Sequence, residues 1–107
     1  MRNAMNLEQI IKEIRHNNVD KLLGDRFAMI DSAKILIYAE YSVSPDTEYI
    51  FLKSKLGQRK IVKIKDITYE KLCSLKDLTA LINFYLSEYD RKPDDVLVID
   101  IIDHLND

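Results

Sequence analysis

Residues 34–54, KILIYAEYSVSPDTEYIFLKS, decide the fold because they hold two apolar stretches separated by a turn signal. Apolar and other residues alternate over 34–43 and again over 47–54, and this period of two residues predicts two strands. The intervening segment 44–46, Ser-Pro-Asp, is typical of a turn. Because so short a connection joins antiparallel neighbours, the two strands are predicted to pair directly.

A third strand is predicted over residues 59–66, where Val62 and Ile64 alternate with lysines. Residues 55–58 contain Gly57 and predict a hairpin loop between the second and third strands. The three strands are therefore expected to form an antiparallel meander, in which each strand lies beside the next one along the chain.

The N-terminal segment 6–16 predicts an amphipathic helix. Its apolar residues recur at the i, i+3, i+4 and i+7 positions that share one side of a helix, namely Leu7, Ile10, Ile11 and Ile14. Asn6 is placed to cap the first turn, and Glu8 complements the positive end of the helix dipole.

Residues 19–33 have two interpretations. A single helix keeps the apolar spacing but includes Gly24, which costs about 1 kcal/mol inside a helix. The alternative is a short helix that ends at Gly24, followed by an extended piece over Arg26–Ile30. We favour the second interpretation, because Gly followed by Asp is typical of a helix end.

Helical structure is predicted again after the third strand. It is expected to begin at Ile67 and Thr68, with a second cap-like start at Ser74, and to continue along an apolar row to Tyr89. Residues 94–106 combine helical spacing and an acidic first turn with β-branched residues that favour a strand. We predict a helix there, because the spacing is regular.

The whole chain, residues 1–107, is predicted to form a single α+β domain, with an N-terminal helix, a three-stranded antiparallel meander sheet and C-terminal helices packed on the sheet. It has 16 Lys+Arg and 18 Asp+Glu, so its net charge of -2 gives no overall basic excess for nucleic acid. The sequence shows no membrane-spanning stretch, signal peptide or disulfide framework, so we expect a cytoplasmic protein.

Catalysis is not expected. The chain has 2 Gly, 1 Cys and 2 His, which make neither a Gly-rich phosphate loop nor a zinc motif, so we expect no cofactor and no metal. Cys73 would need a histidine beside it to act as a nucleophile, and we interpret it as a small buried residue. Asp100 and His104 have ligand spacing on a helix, but we interpret them as a solvated surface.

Charge is divided unevenly along the chain. The segment 53–65 has basic residues and no acid, namely Lys53, Lys55, Arg59, Lys60, Lys63 and Lys65. These residues either contact phosphates, with Tyr49 and Phe51 stacking bases, or protect an exposed sheet while the aromatic rings pack under a helix. We favour the second interpretation.

The segment 94–107 has acidic residues and no Lys or Arg. Its candidate partner-binding residues are Asp94, Asp95, Asp100 and Asp103. They form either a solvated helix surface or a group of carboxylates that binds the basic groove of a nucleic-acid-handling protein. Because tyrosines are frequent at interface hot spots, the candidate interface anchors are Tyr38, Tyr49, Tyr85 and Tyr89.

The segment Met5–Ile14, MNLEQIIKEI, resembles the opening helix of a family of small phage-encoded anti-CRISPR proteins that block a CRISPR nuclease. The predicted order of one helix, three antiparallel strands and two helices is similar to that family as well. The resemblance implies an inhibitor that binds its target protein. That family is strongly acidic and acts partly as a DNA mimic, whereas this chain has a net charge of -2.

We therefore expect a non-catalytic protein-binding module from a mobile element, either a monomer or a homodimer. Its expected partner is a nuclease or another nucleic-acid-handling protein, which it would inhibit as an anti-CRISPR or immunity protein does. The alternative is a nucleic-acid-binding regulator that uses the basic segment 53–65. A small enzyme that uses Cys73 or the Asp100–His104 pair is the third interpretation.

Overall fold

A computed structural model describes residues 5–16, 18–19, 23–24, 27, 29–54, 59–88 and 93–105, with the backbone alone for 86–88. Its strands are β1 Met5–Asn6, β2 Ile35–Glu40, β3 Glu48–Lys53, β4 Ile61–Ile64 and β5 Ile67–Ser74. Its helices are α1 Leu7–Arg15, α2 Leu75–Glu88 and α3 Asp94–Leu105, and a 3-10 turn at Ser32–Lys34 precedes β2. The predicted α+β class is confirmed.

The strands form one sheet with the order β1-β3-β2-β5-β4, and every neighbouring pair is antiparallel. The predicted pairing of β2 with β3 is confirmed, with Ile37 opposite Phe51. The predicted meander is wrong, because β3 and β4 lie on opposite sides of the β2–β5 pair. The loop residues 55–58 lie outside the described residues.

The strand β5 pairs with β2 on the side opposite to β3, where the predicted meander had no strand. The sequence predicted the start of a helix at Ile67 and Thr68, and this prediction is wrong. A register shift opposite Ile37 and Tyr38 places the consecutive residues Leu72 and Cys73 in the same core. That bulge breaks the two-residue period by which a strand is recognised, while hydrogen bonds to two neighbouring strands outweigh the capping preference of Thr68.

The hairpin of β4 and β5 turns through Lys65 and Asp66, with φ angles of 49° and 69°. Ile64 and Ile67 lie opposite each other on either side of this turn. Positive φ at both central residues is the geometry that matches the twist of a two-residue hairpin. Glycine usually marks such a turn, and its absence at 65 and 66 explains why the turn was not predicted.

The predicted N-terminal helix is confirmed as α1. Asn6 caps it reciprocally with Gln9: the Gln9 N–H donates to the Asn6 side chain at 2.9 Å, and the Asn6 N–H donates to Gln9 Oε1 at 3.0 Å. The predicted apolar row is buried, namely Leu7, Ile10, Ile11 and Ile14. The two residues before the helix, Met5 and Asn6, pair with β3 and so fix α1 to the sheet edge.

The C-terminal helices begin where two of the sequence signals place them. Ser74 accepts a hydrogen bond from the Asp77 N–H at 3.1 Å, so the predicted cap at Ser74 starts α2. The helical interpretation of residues 94–106 is confirmed over Asp94–Leu105, with Leu97, Val98, Ile101 and Ile102 buried. The hydrophobic core therefore outweighs the strand preference of these β-branched residues.

Residues 19–33 are described only in part. Gly24 has a φ of 70°, which suits a helix end and agrees with the favoured interpretation. Within the predicted extended piece, Met29 has a φ of 62°, so an extended backbone is wrong at that residue. Arg26 and Ala28 lie outside the described residues.

The sheet buries apolar side chains on both of its faces. One face packs against the three helices, and its centre includes Ile37, Ala39 and Tyr49. The opposite face carries a smaller cluster of Leu36, Tyr38, Leu52 and Tyr69. On that second face the Tyr38 hydroxyl donates to the Arg59 carbonyl, which fixes the chain as it enters β4.

Candidate functional site

The helix α3 has two chemically different sides. Residues at positions i, i+3, i+4 and i+7 share one side of a helix, and here they are Val96, Ile99, Asp100 and Asp103. Val96 is 38% exposed, Ile99 is 53% exposed, and the Asp103 side chain is also exposed. Asp95 is exposed in the first turn. Apolar and acidic groups are therefore accessible together.

The neighbouring helix α2 adds an aromatic ring that the sequence analysis missed. Phe84 is 55% exposed, and its ring meets the ring of Tyr85 edge to face at 5.5 Å. Tyr85 in turn reaches α3, where its hydroxyl donates to the Asp100 carbonyl at 3.4 Å. The available signal was the position of Phe84 outside the buried row of α2. We call the group Phe84, Asp95, Val96, Ile99 and Asp103 the α3 outer surface.

The predicted acidic residues do not all have the same role. Asp94 accepts a hydrogen bond from the Arg15 guanidinium of α1, and both side chains are about three-quarters buried, at 24% and 26% exposed. This ion pair joins α1 to α3. Asp100 is half-buried, whereas Asp95 and Asp103 are exposed. The structure therefore leaves Asp95 and Asp103 as the exposed members of the predicted acidic group.

The predicted tyrosine anchors lie mostly inside the protein. Tyr38 and Tyr49 are both 0% exposed, so neither presents a surface to a partner, contrary to the prediction. Their hydroxyls are satisfied internally, since Tyr38 donates to the Arg59 carbonyl and Tyr49 donates to the Ser44 carbonyl at 2.8 Å. Burial raises the pKa of Tyr49 to about 12. Tyr85 is half-buried, and Tyr89 lies outside the described residues.

The basic segment is divided between β3 and β4, which two other strands separate in the sheet. Lys53 ends β3, where it lies opposite Ile35. The exposed residues Arg59, Lys60, Lys63 and Lys65 precede, occupy or follow β4. Lys55 lies outside the described residues. We call the segment 59–65 the β4 edge, because β4 is the last strand in the sheet order.

The aromatic residues assigned to base stacking face the helices. Tyr49 and Phe51 belong to the main core, and the ring of Phe51 meets Phe27 edge to face at 6.3 Å. Both side chains are therefore on the face of the sheet that the helices cover. This agrees with the favoured interpretation, in which the aromatic rings pack under a helix. The stacking platform of sheet-based RNA binders requires exposed rings, and these two residues do not supply it.

Cys73 has the character of a core residue. It is 8% exposed, and burial, assisted by the negative charge of Asp77, raises the pKa of its thiol to about 12. The thiol is therefore protonated near neutral pH and lacks the nucleophilic thiolate form. Among the described residues, no group of three His, Cys, Asp or Glu side chains is arranged to hold a metal ion.

A cleft of about 280 Å³ opens beside the start of β4. Its walls are formed by Val43, Lys60, Glu70, Lys71, Leu72 and Leu105. The Glu70 carboxylate accepts a hydrogen bond from the Val43 N–H at 2.8 Å, which fixes it in the cleft wall. The cleft therefore combines two ammonium groups with a carboxylate that already has a backbone partner.

No protein-family model, curated protein or solved structure matches this chain significantly. Across the part of the chain that the structure describes, no helix has the length and apolar character needed to cross a membrane. The exposed regions that bear on function are the α3 outer surface and the β4 edge.

Proposed function

We propose that this protein is a non-catalytic, cytoplasmic protein-binding module that inhibits a nuclease or another nucleic-acid-handling protein. The α3 outer surface would cover the basic groove in which the target holds nucleic acid. This places the protein in the same functional class as the anti-CRISPR and immunity proteins. The observation that carries the proposal is that two helices in contact, α2 and α3, leave Phe84, Val96 and Ile99 exposed together with Asp95 and Asp103.

The apolar part of this surface supports a macromolecular partner. Phe84 and Ile99 are each more than half exposed although they lie on helices that contribute to the main core. When a partner covers accessible apolar side chains, the burial stabilises the complex by about 25 cal/mol per Å² of apolar surface. A protein surface covers such side chains better than a phosphate backbone does, because it offers apolar area of its own.

The acidic part of the surface indicates the sign of the partner's charge. Asp95 and Asp103 lie two helical turns apart on α3, beside the apolar residues. Nucleic-acid sites are lined by Lys and Arg, so paired carboxylates complement such a site and accelerate association with it. An apolar centre with acidic neighbours therefore fits the basic groove of a nuclease better than it fits an acidic protein.

The placement of the residues with catalytic potential also supports a binding role. Cys73 is protonated in the core, and the residue is 8% exposed. His104 is exposed on α3, where it shares a helix with Asp100 and Asp103. These residues lie outside the described cleft, which is lined by aliphatic side chains, two lysines and one glutamate. The cleft thus lacks a nucleophile of the Ser, Cys or Thr type.

The test is inhibition of a captured target by matched charge variants. Tagged protein is used to isolate a partner from a bacterial lysate, and the nuclease activity of that partner is then titrated with untagged protein. Wild type is expected to inhibit, and the double variant Asp95→Lys/Asp103→Lys is expected to inhibit at least about tenfold more weakly.

The matched control is Glu8→Lys/Asp46→Lys, which changes the net charge equally at exposed residues outside α3. Glu8 lies in the first turn of α1 as Asp95 does in that of α3, so the helix-dipole cost is comparable. This control is expected to inhibit like wild type. Equal loss in both double variants would show that net charge, rather than the α3 outer surface, governs binding, and would exclude the proposed site.

The nucleic-acid-binding regulator is the second candidate, and one observation favours it. Arg59, Lys60, Lys63 and Lys65 are exposed along one strand edge. If they contact phosphates, DNA affinity will fall steeply with salt, and Lys63→Gln/Lys65→Gln will reduce the slope of log K against log salt by about 2. Filter binding at several salt concentrations distinguishes this candidate, because affinity that is independent of salt excludes phosphate contacts.

A further inference from the structure

The outer side of β4 presents backbone hydrogen-bonding groups. β4 pairs with β5 and ends the strand order, so one of its two sides has no neighbouring strand among the described residues. Ile64 and Ile67 flank a two-residue turn, and such a pair exchanges hydrogen bonds. The ladder alternates from there, so Val62 bonds toward β5, as does Lys60, whose carbonyl accepts from the Lys71 N–H at 2.7 Å. Ile61 and Lys63 therefore direct their N–H and C=O groups outward.

The edge also carries accessible apolar side chains. Ile61 is 55% exposed and Ile64 is 36% exposed. Natural sheets often protect an edge with a proline or a bulge, but β4 contains no proline and its register with β5 is continuous from Ile61 to Ile64. An added strand would gain both the outward hydrogen bonds and contact with these isoleucines.

The charge of the edge selects the occupant. The cations Arg59, Lys60, Lys63 and Lys65 accompany one acid, Asp66, across residues 59–66. Pairing of two β4 strands from two copies would bring together two edges that each carry four cations, and like charges that face each other in a sheet are unfavourable. An acidic strand would instead set carboxylates opposite these lysines.

We propose that β4 binds an extended, acidic segment of a partner protein, which adds to the sheet as a further strand. This interaction surface is separate from the α3 outer surface and does not depend on the proposed inhibition. The backbone groups of Ile61 and Lys63 supply the main-chain contacts, and the surrounding lysines select for acidic side chains.

The test uses a labelled acidic peptide, Thr-Glu-Val-Glu-Val-Glu-Val-Thr. The control is a labelled basic peptide of the same sequence in which Lys replaces each Glu. Fluorescence anisotropy with the full-length protein is expected to show binding of the acidic peptide and at least about tenfold weaker binding of the basic one. Equal affinity for the two peptides, or no binding of the acidic peptide, would overturn the proposal.

A matched pair of variants tests the backbone contribution. Ile61→Pro removes one outward N–H, whereas Ile61→Thr keeps that N–H and a β-branched side chain. The proline variant is expected to lose about tenfold in affinity, as deletion of a main-chain hydrogen bond implies, and the threonine variant about threefold or less. Equal affinities of the two variants would show that strand addition does not occur.

Charge reversal supplies a variant that leaves the backbone unchanged, which keeps the proposal testable if Ile61→Pro does not fold. Lys63→Glu is expected to reduce acidic-peptide affinity by about tenfold and to improve binding of the basic peptide. Unchanged preference for the acidic peptide would overturn the assigned site. A labelled single-stranded DNA that binds more tightly than the peptide, or a concentration-dependent dimer that Ile61→Pro abolishes, would assign the edge to nucleic acid or to a second copy instead.

Discussion

The α3 outer surface and the β4 edge are both exposed and partly apolar, but they differ in charge and in what their backbones offer. On α3 the helix satisfies most of its own N–H and C=O groups, so a partner meets side chains such as Ile99 and Asp103. On β4 alternate backbone groups point outward, and the neighbouring side chains are mostly cationic. A helix surface therefore selects partners by side-chain identity, whereas a strand edge gains affinity from the main chain and uses charge for selection.

Separating the two sides of α3 gives the largest expected effect. Ile101 is buried and Ile99 is 53% exposed on the same helix. We expect Ile101→Ala to lower the free energy of unfolding by about 2–5 kcal/mol, because it leaves a cavity, and Ile99→Ala to change it by less than about 0.5 kcal/mol. Urea unfolding monitored by circular dichroism measures both. A large loss in Ile99→Ala would mean that the outer surface serves stability rather than binding.

Alkaline pH is expected to unfold the protein and so to abolish the α3 outer surface and the β4 edge together, because both belong to one small domain that unfolds cooperatively. The pKa of Cys73 is raised by burial from 9.0 to about 12 in the folded protein, so the unfolded thiol loses its proton first. Stability is therefore complete below about pH 9 and falls as the pH rises toward 12, by at most about 1.4 kcal/mol per pH unit from this group. Tyr49, with a pKa raised to about 12, adds to the fall above pH 10.

Urea unfolding at pH 8, 9.5 and 10.5 measures this dependence, at pH values chosen to bracket the ionisation of the unfolded thiol. Cys73→Ala lacks the titrating thiol, so its stability is expected to fall less steeply with pH than that of wild type. Parallel curves for the two proteins would contradict the burial of a neutral thiol in the core.

The support of the β4 edge is tested by a pair of tyrosines. The buried Tyr38 hydroxyl donates to the Arg59 carbonyl just before β4, whereas Tyr41 is 64% exposed just after β2. We expect Tyr38→Phe to cost about 1–1.5 kcal/mol of stability and Tyr41→Phe to cost less than about 0.5 kcal/mol. Amide hydrogen exchange of Val62 and Ile64 should also accelerate in Tyr38→Phe alone. Equal exchange in the two variants would show that this hydrogen bond does not hold the edge.

The smallest expected effect distinguishes the two neighbouring aspartates that begin α3. Asp94 binds Arg15, whereas Asp95 is exposed in the same helical turn. We expect Asp94→Asn to lower stability by about 0.5–1 kcal/mol at low salt and less at high salt, and Asp95→Asn to have a smaller effect. Because both residues see the same helix dipole, thermal unfolding of the two variants isolates the ion pair. Identical unfolding curves would show that the ion pair with Arg15 does not stabilise the fold, so that Asp94 would be as available to a partner as Asp95.

The sequence predicted correctly those helices and strands whose signals lie within one short segment of the chain. The apolar row and cap of α1, the hairpin of β2 with β3 and the helix over Asp94–Leu105 follow from spacing within single segments. The strand β5 did not follow, because its bulge interrupts the alternation and its strand character comes from pairing with β2 and β4. At the candidate site the acidic residues Asp95 and Asp103 were predicted, whereas the aromatic residue Phe84 was not.

The sequence by itself determined the α+β class, the amphipathic helices and the division of charge between a basic segment and an acidic segment. These features depend on residue type and spacing within one stretch of chain. Only the tertiary structure decided the strand order, which separates Lys53 from the lysines of β4. The tertiary structure also decided that Tyr38 and Tyr49 are buried and that Phe84 is exposed. Burial depends on which elements pack against one another, and the periodicity within a single strand or helix contains no information on that packing.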